Sequence, residues 1–165
     1  MPDPGSVPTD IHYLAAHIVV VLATLFIAGV SVLVHYEGLS WISIRLAARS
    51  RMLRRRKVLL AIWAILALHI VEIWLFGVVC WLLMMWPACG HIAGASEPIH
   101  LANAVYLSAT TFSTLGFGDL TPVGAVRFLI GTESLVGLVL ITWSASFTYL
   151  EMQQFWSKHH GNARN

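Results

Sequence analysis

Charge is scarce in this chain of 165 residues: 10 Lys and Arg and 8 Asp and Glu make up 11% of it, against 58% hydrophobic residues. A soluble domain carries about a quarter charged residues, so an ordinary water-soluble globule is excluded. Cysteine is scarcer still. Cys80 and Cys89 show neither metal-ligand spacing nor a disulfide framework. Cys80, inside an apolar run, reads as a small buried hydrophobe; Cys89 falls in an expected outer loop, open to cross-linking with a partner. Residues 1–11 form an irregular tail, and its first ten residues contain no Lys or Arg, so the positive n-region of a signal peptide is missing. No nucleophile–base pair and no phosphate-binding glycine loop is present, so nothing points to an enzyme or a cofactor.

What the chain has instead is long apolar runs. Residues 12–35 and 58–86 are each long enough to cross a bilayer as a helix, and the second has length to spare for tilt. A third run covers residues 126–150. Between the second and third lie a Gly/Ala/Pro-rich loop, 87–98, and a short apolar run, 99–112, that cannot cross unaided. A Gly-x-Gly turn follows at once. Irregular backbone at membrane depth survives only when buried in protein or lining a water-filled path. A short helix in and a glycine-rich strand back out therefore predict a re-entrant loop.

Seven of the ten Lys and Arg, from Arg45 to Lys57, fall in the linker 36–57 between the first two runs. Such a cluster suits nucleic acid, but between two spans it reads as a topology signal, and no nucleic-acid partner is expected. Cytoplasmic loops are the basic ones, so the amino terminus is expected outside the cell or inner membrane, the re-entrant loop enters from outside, and the tail 151–165 lies in the cytoplasm. The linker is also a candidate surface for anionic lipid headgroups, each basic residue adding about 1 kcal/mol near such a surface. Trp86 and Tyr106 on the outer side, and Trp41 and Trp156 on the inner, suit interfacial anchoring.

Residues 113–119 carry the sharpest signal. Gly116 and Gly118 adopt positive φ without steric cost. Alternated with ordinary residues, they let successive carbonyls point one way, where a strand would alternate them. Such a row can replace the water shell of a dehydrated monovalent cation. Leu115 and Phe117 are then expected to pack behind the strand, with the Thr114 hydroxyl at the inner mouth and the Asp119 carboxylate at the outer mouth, where it concentrates cations. One strand coordinates nothing alone, so several chains must close a ring.

The run Ser108-Ala109-Thr110-Thr111-Phe112-Ser113-Thr114-Leu115-Gly116-Phe117-Gly118-Asp119-Leu120-Thr121-Pro122 resembles the pore helix and filter of the potassium channel pore-loop superfamily. The resemblance spans residues 58–150. It implies an all-α integral membrane protein with three transmembrane helices, a re-entrant pore helix and a selectivity-filter strand. It also implies a homotetramer that passes K+ through the carbonyls of Thr114, Leu115, Gly116 and Phe117 and the Thr114 hydroxyl. Leu115 and Phe117 depart from the commoner Val or Ile and Tyr, and Phe117 lacks a hydroxyl that can brace the strand.

By the same resemblance Gly137, midway along the third span, is a candidate gating hinge; the alternative is that Gly131 and Gly137 allow close helix contacts. The first span has no Arg or Lys, so it is no voltage sensor, and the tail is too short for a ligand-binding domain. Among the ionisable residues within the spans, His17, His69, Glu72 and Glu133 stand out. Their expected role is a hydrogen-bonded network bracing the scaffold behind the filter; the alternatives are proton sensing and a His/Glu metal site. Competing functions are a weakly selective cation pore, a proton- or metal-coupled transporter built on His69, Glu72 and Glu133, and a non-conducting subunit of a larger channel.

Overall fold

The computed structural model describes residues 10–49, 54–95 and 100–161. The first helix, α1, runs Asp10–Ala48, well past the expected end at residue 35. The cause lies in the spacing of Leu39 and Ile42, which continue an apolar face beyond the hydrophobic run and close on Ala61 and Ile65 of α2, Arg54–Met84. Much of the expected linker is therefore helix, and Arg45 sits in its last turn, where a cation suits the negative end of the helix dipole. Arg51 lies outside the described residues.

After α2 a 3-10 turn, Pro87–Cys89, leads into β1, His91–Ala93. The pore helix α3 covers Leu101–Phe112, and β2 covers Thr121–Val123. The last helix, α4, spans Arg127–Gly161, so it continues through most of the expected tail. It begins at Arg127 and carries Glu133 within its apolar stretch, and polar and charged residues become frequent beyond Leu150. The three long helices are each long and apolar enough to cross a membrane.

The strands pair antiparallel, with His91 opposite Val123 and Ala93 opposite Thr121. This short ribbon holds the chain leaving residues 113–119, and within the loop expected at 87–98 it makes His91–Ala93 a strand. Cys89 is fully buried beneath it. Burial raises the Cys89 thiol pKa, which corrects the expectation of an accessible cross-linking thiol. Cys80 is buried as expected.

The core joins all four helices: Ala16, Val20 and Ile27 of α1, Phe76, Cys80 and Leu83 of α2, Ala104 and Leu107 of α3, and Leu129 and Ile130 of α4. Helix α1 contacts both α2 and α4, so the additional span is part of the bundle. Its buried stripe, Ala16, Val20, Thr24, Ile27, Ser31, His35, Leu39 and Ile42, advances by three or four residues, one face of a helix.

Candidate functional site

The site begins at the carboxy end of α3. A helix leaves its last carbonyls without helical partners, and here residues 113–116 supply the donors. Ser113 N–H and its hydroxyl both donate to Ala109 O, at 3.2 and 2.7 Å. Thr114 N–H donates to Thr111 O at 2.8 Å, while Leu115 and Gly116 N–H both reach Thr110 O, at 2.9 and 3.0 Å. In a trans peptide the N–H and the preceding C=O point in opposite directions. With their N–H groups turned onto α3, Leu115 and Gly116 leave the carbonyls of Thr114 and Leu115 facing away from it.

The backbone dihedrals carry the same message. Gly116 and Gly118 have φ of +52° and +80°, and Thr114 joins them at +59°. A β-branched residue in the left-handed region is rare and costs about 1–3 kcal/mol; the three bonds onto Thr110 and Thr111 hold it there. Positive φ thus recurs at every second residue, as expected of the two glycines, and Thr114 extends the alternation by one.

Side chains behave differently from expectation in one respect. Leu115 and Phe117 are 58% and 66% exposed, so within one chain nothing packs behind the strand to cover them. The Asp119 end of the segment is held instead by Tyr106, whose hydroxyl donates to Asp119 Oδ2 at 2.9 Å. That bond raises the tyrosine pKa, because the donor must stay protonated. Tyr106, expected as an interfacial anchor, thus supplies a hydroxyl brace that Phe117 lacks. Gly94 meets the Asp119 carbonyl so closely that a Cβ there would overlap it.

The pore helix itself is seated through two close approaches. A Cβ on Gly77 of α2 would lie 2.8 Å from Val105 Cα, and one on Gly137 of α4 would overlap the Phe112 carbonyl. Gly137 is therefore a contact residue against the last turn of α3, the alternative to the hinge. Gly131 has no such neighbour within 4 Å.

The four ionisable residues do not form one network. Glu133, fully buried, lies against the Ser108 hydroxyl of α3, and that hydroxyl is also 2.8 Å from Ile73 O of α2. A hydroxyl has one proton to donate, so Ser108 serves both neighbours fully only when Glu133 donates to it as a neutral acid. Among the described residues the second Glu133 oxygen has no hydrogen-bond partner. His17 bonds locally, to Tyr13 O at 2.8 Å. Glu72 pairs with His69 as the three-residue spacing predicted, at 2.9 Å, but its other oxygen takes His35 of α1 at 2.8 Å. His35, the last residue of the expected first span, was outside the sequence-based set. The polar positions Thr24, Ser31 and His35 on one helical stripe are the signal that would have found it.

A family described as Ion channel matches residues 61–154, more than half of the chain, from the start of α2 through the filter segment to α4. The chain is 32% identical over 63 residues to the inward rectifier potassium channel Kirbac3.1 of Paramagnetospirillum magnetotacticum, 38% of this chain and 21% of that protein. It is 40% identical over 40 residues to Protein LctB of Bacillus caldotenax, 24% of this chain and 30% of that one. The matched segments thus span less than a third of either relative. No solved structure matches the chain.

Proposed function

This chain belongs to the ion channel family, a non-enzymatic, multi-pass membrane protein, and from that premise we propose that it is one subunit of a homotetrameric potassium-selective channel. The observation that carries the proposal is the filter backbone. Positive φ at Thr114, Gly116 and Gly118, with the Leu115 and Gly116 N–H groups tied back to Thr110 O, turns consecutive carbonyls away from the pore helix. Four copies around an axis would surround a dehydrated cation with carbonyl oxygens at Thr114, Leu115, Gly116 and Phe117, the arrangement by which carbonyl filters replace a hydration shell. The exposed Leu115 and Phe117 side chains would then be covered by neighbouring subunits. Asp119 stands at the outer mouth, and the negative end of α3 points toward the cation path.

The basic residues between α1 and α2 support a cytoplasmic position for that connection, which puts the amino terminus and the filter mouth outside. A cleft of about 160 Å³ lined by Trp41, Ile42, Arg45, Arg49, Lys57 and Leu60 offers cations beside apolar walls, which suits an anionic lipid. The transporter reading loses its chain of groups: among the described residues no hydrogen bond joins Glu133 to the His69–Glu72 pair.

The test is flux. Purified protein in liposomes under a potassium gradient is expected to pass K+ and to exclude Na+. Equal K+ and Na+ permeation by a well-folded oligomer would favour the weakly selective pore, and no permeation by it would overturn the channel reading.

A further inference from the structure

Conduction as proposed above makes no use of the cluster His35–Glu72–His69. His35 Nδ1 lies 2.8 Å from Glu72 Oε1 and His69 Nδ1 lies 2.9 Å from Oε2, so one carboxylate receives two imidazoles from two different helices. His35 and Glu72 are fully buried, whereas the His69 side chain is 14% exposed, so the cluster is closed on one side and open on the other. One donor atom from each residue lies within 4.8 Å of the other two.

Charge makes the arrangement demanding. The chain has no Lys or Arg between residues 58 and 126, none before Arg45 and none from 128 to 157. A Glu72 carboxylate inside the bundle therefore has only histidines, or a bound cation, to offset it, and a buried charge without compensation is costly. The donor types match a known chemistry. Two imidazoles and one carboxylate form a common three-ligand set for zinc, with bonds of about 2.0–2.1 Å, which sets adjacent donors roughly 3 Å apart. Each imidazole already lies near that distance from a carboxylate oxygen, His35 from Oε1 and His69 from Oε2.

A polar group meets the far nitrogen of His35, as metal-ligating histidines require, and aromatic rings pack against both imidazoles. His35 Nε2 lies 3.4 Å from Ser144 Oγ of α4, and its ring packs at 5.4 Å from both the His69 and Trp143 rings. The His69 ring packs at 5.7 Å from Phe112, the last residue of the pore helix.

We propose that His35, His69 and Glu72 bind a divalent transition-metal ion of zinc-like chemistry, through one nitrogen of each histidine and a carboxylate oxygen, with the fourth position open on the His69 side. Such an ion would link α1, which lies outside the matched family segment, to α2 within it, and through Phe112 would bear on the base of the filter. The site is independent of what the pore conducts.

The test uses the full-length purified chain with the tail substitutions His159→Ala and His160→Ala, titrated with Co2+ as a spectroscopic probe and then with Zn2+. One Co2+ per chain with the strong visible absorption of a tetrahedral site, displaced by Zn2+, is expected, together with a higher thermal unfolding temperature in Zn2+. His69→Gln, at the open edge, is expected to weaken binding at least about tenfold, and Glu72→Gln to remove it. No saturable Co2+ signal in the folded unsubstituted cluster would overturn the proposal, because the triad would then hold protons alone. Unchanged stoichiometry and affinity in folded Glu72→Gln would also overturn it, as an adventitious ion only. Liposome flux is a separate readout, so loss of the metal site leaves the pore reading standing.

Discussion

Residues 114–119 present backbone atoms toward the proposed ion path, whereas the seam behind the pore helix, at Glu72 and Glu133, is built from side chains. The difference shows in what each region tolerates. The filter backbone depends on dihedral angles that glycine adopts freely, so Leu115 and Phe117 can depart from commoner residues while the carbonyl geometry stays the same. The seam depends on particular donors and acceptors in an apolar setting, where losing one partner strands the other. A backbone site is robust to side-chain identity and sensitive to φ; a buried polar seam is the reverse.

The sharpest way to break the comparison is at Gly116. A Cβ there meets nothing within 4 Å, yet its φ of +52° makes alanine strained by about 1–2 kcal/mol. Gly116→Ala is expected to abolish potassium flux in liposomes while leaving the oligomer intact on size exclusion. Retained selective flux would show that the alternation of positive φ is not what shapes the filter.

The seam should respond in the opposite sense, losing stability before selectivity. Glu72→Ala strands two imidazole groups, at about 1–3 kcal/mol for each unsatisfied group, whereas after Glu133→Ala the Ser108 hydroxyl keeps its bond to Ile73 O. Glu72→Ala is therefore expected to lower the unfolding temperature more. Glu133→Gln, which keeps a neutral hydrogen-bonding side chain beside Ser108, should stay close to the parent protein. An equal loss in all three variants would remove the distinction between the two carboxylates.

Gly137 lies between the two regions. Overpacking costs about 1–3 kcal/mol, so Gly137→Ala, forced against Phe112, is expected to destabilise the protein, measured by thermal unfolding. A change in open probability with unaltered stability would restore the hinge.

The smallest effect belongs to Tyr106. Tyr106→Phe is expected to shorten conducting bursts in single-channel records without changing selectivity, since it frees Asp119 at the mouth alone. The raised tyrosine pKa sets the sign with pH. The brace is fully present below the ordinary tyrosine value of about 10 and is lost only as pH rises through the higher folded value. Burst length that falls between neutral pH and pH ~9 would count against it.

The turn at residues 113–119, with positive φ at Gly116 and Gly118, was legible in the sequence because its determinants are local. Two glycines two residues apart after a short apolar helix specify a re-entrant turn, and composition alone placed that turn among three membrane-crossing helices. The linker boundary was misjudged because hydrophobicity ends near Val34 while helical periodicity continues through Leu39 and Ile42, which find their partners on α2 only in the folded bundle. Tyr106 lies 13 residues from Asp119, a contact that exists because the pore helix runs in and the filter returns alongside it.

Local residue order thus determined the spans, the turn and the backbone freedom at Gly116 and Gly118. Tertiary structure decided which polar groups meet. The sequence spacing of His69 and Glu72 brings those two together on one helix face, but His35 reaches Glu72 from 37 residues away, and Glu133 reaches Ser108 in place of Glu72. Those pairings follow from how helices rotate and approach at their glycine contacts, a choice set by packing all faces at once, which no single segment encodes.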